Sequence, residues 1–160
     1  MTTPTQTITL PVLDADGARV GEEQVAIEPL GDDFYRLTVS PRFVDGVAAA
    51  DEIALDPDVS SGFEVTKRGG NLCVRFSFSP EDADAVLGEG GDRLRADIEG
   101  LGGCLDAQTA RSLIYTIPVE AGFGTVEAIF GRATEELAGT RWRFTNVYDR
   151  ETNQPLDWWC

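Results

Sequence analysis

LCVRFSFSPEDADAV, residues 72–86, passes from a strand into a helix within a few residues. LCVRFSF reads as a strand. Ser79 then stands as an N-cap, and Pro80 takes the first helical position, where its missing N–H removes no bond. Glu81 and Asp82 fall in the first turn, where the positive end of the helix dipole favours carboxylates. Downstream, Ala83, Val86, Leu87, Leu94, Ile98 and Leu101 share one helical face. The run GEGG at 88–91 should break this helix in two, because each interior glycine costs about 1 kcal/mol. A strand is expected at about 103–107 and another at SLIYTIPV, 112–119. Val126, Ile129, Phe130, Ala133 and Leu137 then form a helical stripe ended by Gly139, and RWRFTNVY, 141–148, is the last strand. Residues 71–148 therefore predict β-α-β-β-α-β, the ferredoxin-like order.

Upstream the period changes to two. Ile8, Leu10 and Val12 alternate with Thr7, Thr9 and Pro11 across residues 5–13, and Asp14-Ala15-Asp16-Gly17 supplies a turn. EEQVAIEPL returns with Val25 and Ile27 on one face, and Gly31-Asp32-Asp33 leads into FYRLTV, where Tyr35, Leu37 and Val39 alternate with Arg36 and Thr38. After the irregular PRFVDGVAAAD, two short strands are expected at EIAL and FEVTK. The fold class expected is α+β. An all-β subdomain over residues 1–70, a small β-barrel or curled antiparallel sheet, precedes a ferredoxin-like subdomain with a tail over 71–160. In that order the first and second strands of the second half are not neighbours, so Cys73 and Cys104 should not bond.

The chain of 160 residues holds 28 acidic against 13 basic side chains, no histidine, one lysine (Lys67) and a formal charge of −15. Without imidazole there is no Ser-His or Cys-His pair and no histidine metal ligand. A field of this sign repels nucleic-acid phosphates and anionic membrane surfaces and attracts basic proteins. No leader pattern or apolar run of membrane length occurs, and three cysteines without C-x-x-C spacing support neither a disulfide framework nor a zinc site. These features point to a cytoplasmic protein with no cofactor. Oligomeric state is left open.

The segments Glu28-Pro29-Leu30-Gly31-Asp32 through Tyr35-Arg36-Leu37, Gly46-Val47-Ala48, Asp51-Glu52, Leu101-Gly102-Gly103-Cys104, Ile117-Pro118-Val119 and Trp142-Arg143-Phe144 resemble a bacterial family known as a domain of unknown function. The resemblance spans about residues 5–148. Gly102-Gly103 before Cys104 and the tail ETNQPLDWWC depart from it. It implies a bacterial origin and assigns no activity or catalytic residue.

Candidate chemistry is thin. Asp14-Ala15-Asp16-Gly17 begins like a calcium loop, but Ala18, Arg19 and Val25 stand where a full loop needs a third oxygen ligand, a glycine and a glutamate, so it reads as a turn. Gly122-Phe123-Gly124-Thr125 lacks the third glycine of a dinucleotide fingerprint and the lysine of a P-loop. Cys104 has no histidine to activate it. Arg36, Arg141 and Arg143 are expected to offset neighbouring acids. What remains is a surface. Asp14, Asp16, Glu22, Glu23, Asp32, Asp33, Asp157, Trp158 and Trp159 are the candidate protein-binding residues, with the acids steering association and a tail tryptophan anchoring it, unless the tail folds back onto the core. The favoured function is a non-enzymatic immunity or inhibitor protein that occludes a basic toxin. A small-molecule regulatory module is the alternative.

Overall fold

The computed structural model describes residues 5–149 and 152–160. It is an α+β protein with two antiparallel sheets. β1 (Gln6–Leu13), β2 (Arg19–Gly31), β3 (Phe34–Leu37), β4 (Glu52–Leu55) and β5 (Phe63–Lys67) pair in chain order as a five-stranded meander. The period of two sends Leu10, Val25, Ile27, Leu37, Ile53 and Phe63 to one face, where they close on Val44 and Val47. This sheet stays open. β1 and β5 pair only with β2 and β4 and remain its edges, so the barrel alternative is corrected to an open sheet. The sheet still curls: a Cβ on Gly62, just before β5, would stand 3.0 Å from Cδ of Pro11 in β1. A proline there suits an edge, where fewer donors are needed.

β6 (Asn71–Ser77), β7 (Cys104–Gln108), β8 (Ser112–Pro118) and β9 (Arg141–Phe144) form the second sheet in the order β7-β8-β6-β9, antiparallel throughout. α1 (Ala83–Val86), α2 (Glu89–Gly100) and α3 (Phe123–Glu136) cover one face. Val126, Phe130 and Ala133 meet Leu72, Val74, Phe76, Tyr115 and Ile117 there. The break expected in GEGG falls between α1 and α2. Gly91, in the first turn of α2, is obligatory because a Cβ would lie 1.8 Å from the Val86 carbonyl oxygen at the end of α1. Ser79 does not cap backbone amides as expected. Its hydroxyl donates to Asp82 Oδ2 at 2.7 Å, and the first turn, Pro80–Asp82, is a tighter 3₁₀ helix.

The opposite face of the second sheet is covered by the segment 38–51, which links β3 to β4. Ala48 packs on Cys73 and Ile114. Gly46 N–H donates to the Thr145 carbonyl at 2.8 Å. Asn146, fully buried, accepts from Cys73 N–H and donates to the Asn71 carbonyl. The tail folds back too. Trp158 Nε1 donates to the Asn146 carbonyl at 2.8 Å, Arg68 lies 5.5 Å over the Trp158 ring, and Trp159 meets Phe123 edge-on at 5.0 Å. Cys73 and Cys104 both pair with Thr116, from opposite sides of β8, and all three thiols are free. No described helix is long and apolar enough to cross a membrane.

Candidate functional site

The outer face of the first sheet carries residues of the opposite parity. Glu28 of β2 stands across from Arg36 of β3, Arg36 from Glu52 of β4, and Glu52 from Lys67 of β5. These four charges alternate in sign across four strands, with N···O distances of 3.3, 3.9 and 3.7 Å. Each exposed pair contributes only about 0.2–1 kcal/mol. At the β2–β3 corner of this face, Phe34 is 47% exposed and Leu30 is 39% exposed. Phe34 faces Ala54, and Ala54 faces Glu64. Asp32 and Asp33 fill the turn between Leu30 and Phe34, and both are exposed. Asp33 takes φ 59°, and its carbonyl accepts Leu55 N–H at 2.9 Å, which ties the corner to β4. The result is an exposed aromatic ring and a leucine rimmed by Asp32, Asp33 and Glu64, with Glu28 beside them already engaged by Arg36.

The residues expected to form one binding surface are dispersed. Asp14 Oδ1 accepts the Asp16 and Ala18 N–H groups at 2.9 Å each and closes the β1–β2 turn. Glu22 pairs with Arg19 on the surface. That turn and the Asp32–Asp33 turn sit at opposite ends of β2, whose 13 residues span about 40 Å at strand rise. Glu23 is not a surface contact. It is 6% exposed, in phase with Val25 and Ile27, and its carboxylate accepts the N–H groups of Arg42, Phe43 and Val44 at 2.7, 2.9 and 3.0 Å. Trp158 and Trp159 are half-buried against the second core rather than presented to a partner, while Asp157 is exposed. Phe34 is an exposed aromatic on the outer face of the first sheet; Phe43 and Tyr148, elsewhere on the chain, are exposed as well. The signal for Phe34 was in the sequence: with Tyr35 and Leu37 turned inward, strand alternation sends Phe34 outward with Arg36.

A second polar cluster lies between the sheets. β7 carries a bulge between Leu105 and Ala107, so Asp106 is extra to the ladder and turns its carboxylate toward segment 38–51. Asp106 Oδ2 accepts Ser40 N–H at 2.8 Å and the Thr116 hydroxyl at 2.5 Å, and Ser40 and Thr116 share a hydrogen bond of 2.5 Å. Cys104 Sγ donates to Asp106 Oδ1 at 3.1 Å. Partial desolvation, and then the adjacent carboxylate, push the Cys104 thiol up to about 11, and complete burial pushes Cys73 up to about 11 as well. Neither is a poised nucleophile. This network fastens segment 38–51 to the second sheet.

Between α2 and α3 a shallow cleft of about 220 Å³ has Leu94, Ile129 and Ala133 as its floor. The pairs Arg93–Glu136 and Arg132–Asp97 line its walls, so its charges are mutually offset. Among the described residues no group of three or more His, Cys, Asp or Glu side chains is placed to hold a metal ion.

The model of a family described as a domain of unknown function (DUF4265) matches residues 23–140. The chain belongs to this family. The DUF4265 match takes in Glu23, the Phe34 corner, segment 38–51 and Asp106, and leaves β1, β9 and the tail outside. The chain is also similar to the crystal structure of a hypothetical protein from Neisseria gonorrhoeae, with a TM-score of 0.66 at 18% identity over 91% of this chain and 96% of that one. At that identity the likeness is one of fold. None of the curated proteins compared matches the chain.

Proposed function

We propose that this DUF4265 protein is a non-catalytic binding protein that docks a basic protein partner on the outer face of its first sheet, as an immunity or inhibitor protein occluding a cytoplasmic toxin would. The observation that carries the reading is the Phe34 corner, where an exposed aromatic anchor is rimmed by carboxylates in a chain of charge −15. Aromatic anchors ringed by polar residues dominate protein interfaces, and complementary charge raises the encounter rate. The second half, with strand order β7-β8-β6-β9 and its helices on one face, supports a ferredoxin-like reading whose role here is to brace the first sheet.

The test uses the full chain as bait in extract of the source cell, followed by kinetics with the purified partner. Phe34→Ala should weaken binding by about 30-fold, as expected for a hot spot of about 2 kcal/mol. Asp32→Lys with Asp33→Lys should slow association. Raising salt from about 50 to about 500 mM should do the same, because the Debye length falls from about 14 to about 4 Å. A basic partner lost by both variants supports the reading. A partner that tolerates both, or that is itself acidic, refutes it.

A further inference from the structure

Arg75 in β6 and Arg143 in β9 are register partners on the face of the second sheet turned away from the helices. Like charges directly opposite each other across a ladder repel unless a counter-ion intervenes. Asp45, from segment 38–51, supplies one: its carboxylate lies 3.1 Å from Arg75 Nη2 and 3.0 Å from Arg143 Nη2. One carboxylate thus serves two guanidinium groups. The Arg75 contact is an ion pair without hydrogen-bond alignment, and Arg75 Nε and Nη2 are enclosed with no hydrogen-bond partner among the described residues.

Two positions along β9 from Arg143, and so on the same face, Arg141 stands exposed. Arg111 and Arg141 are the described basic residues without an ion-pair partner. Arg141 is therefore not offset by a neighbouring acid, contrary to expectation. Its register partner is Ser77, whose own partner across β6 and β8 is Ser112. Ser112 is buried and bonded to Thr109, so the open part of this face is Arg141, Arg143 and Ser77, backed by the mostly enclosed Arg75; three arginines against the single Asp45 leave it net positive in a chain of charge −15.

We propose that this face binds the phosphate group of a small phosphomonoester, seated between Arg141 and Arg143 over Ser77. The Asp45 carboxylate shows that an oxyanion fits against Arg143, and guanidinium groups offer planar, paired donors matched to phosphate oxygens. The dianion of a phosphomonoester, about −1.5 to −2 at neutral pH, balances the excess of three guanidinium groups over one carboxylate. The acids elsewhere on the chain oppose an incoming anion, but beyond about 8 Å their field is screened at physiological salt.

Titration of the full chain with inorganic phosphate and with glycerol 3-phosphate, at constant ionic strength and followed by amide NMR, tests the site. Saturable shifts at residues 75–77 and 141–143 are expected. Arg141→Gln breaks no ion pair and should leave the fold intact while weakening binding at least 5-fold. Asp45→Asn removes the competing carboxylate and should tighten binding severalfold; a patch that only braces the sheet predicts lower stability with unchanged phosphate affinity. Absence of saturable shifts, equal affinity in Arg141→Gln, or an equal response to acetate would overturn the proposal.

Discussion

Glu23 separates two roles that an acidic residue on a strand can play. Its Oε2 accepts Arg42 N–H, and its Oε1 accepts Phe43 and Val44 N–H. In Glu23→Ala the first two amides belong to exposed residues and regain water, so each lost bond costs about 0.5–1.5 kcal/mol. Val44 is 4% exposed, so its stranded N–H adds about 1–3 kcal/mol. The sum is about 2–6 kcal/mol. Glu23→Gln keeps one carbonyl oxygen for Phe43 and Val44 and turns an amide group on Arg42, for a loss of about 1–2 kcal/mol. Urea unfolding gives both numbers, read as a shift in midpoint at unchanged slope. Amide exchange at Val44 should also quicken in the Ala variant. A loss under about 0.5 kcal/mol in Glu23→Ala is what an ordinary surface acid shows and would refute this reasoning, as would a Gln variant no better than Ala.

The thiols should react in a fixed order. In the native protein at pH 8, exposed Cys160 reacts with a disulfide reagent first, Cys104 lags because its thiol is held near 11, and Cys73 reacts only on unfolding. Cys104 reacting as fast as Cys160 would contradict the Asp106 contact. Asp51 gives a pH signature. Burial raises its pKa, and this outweighs the opposing hydrogen bonds from Gly69 and Ala48 and the charge of Arg68. The folded state then holds the Asp51 proton more tightly than the unfolded chain, so its stabilising contribution is complete below the ordinary aspartate range and is lost as pH rises through the folded-state value. Stability curves for wild type and Asp51→Asn should differ in slope in that window, with the wild type falling more steeply. Parallel curves would refute the shift.

The strands of the first sheet were legible because one face is buried, and alternation of Ile8, Leu10, Val12 and of Tyr35, Leu37 reports that directly. The helix break was legible in its glycines. Segment 38–51 was not: PRFVDGVAAAD has no period, and Val44, Val47 and Ala48 are buried by contacts with two sheets rather than by a local pattern. Glu23 was identified as an acid but not as a buried one, although its phase with Val25 and Ile27 carried that information. Asp106 escaped because a bulge breaks the parity on which strand reading depends. The tail tryptophans were ambiguous by composition, and Asn146 and Arg68 determined that they fold inward.

Segment 38–51 also bears on how quickly the molecule is made. Ser40 meets Thr116 across 76 residues, and Asp45 meets Arg143 across 98. Such closures give no stabilisation until most of the chain is in place, which puts folding in the millisecond-to-second regime of non-local β proteins. The β1–β2–β3 meander, with its short turns, is then expected to form early, and seating of the linker between the sheets late. A nascent chain on the ribosome completes its first sheet's strands by Lys67, yet the far partners of that linker, Thr116 and Arg143, are made some 50 and 75 residues afterwards. Val44 and Val47 can settle on the first sheet as soon as it forms, but Ala48 has nothing to cover until Cys73 and Ile114 are made, so the growing protein carries a linker closed on one side and open on the other.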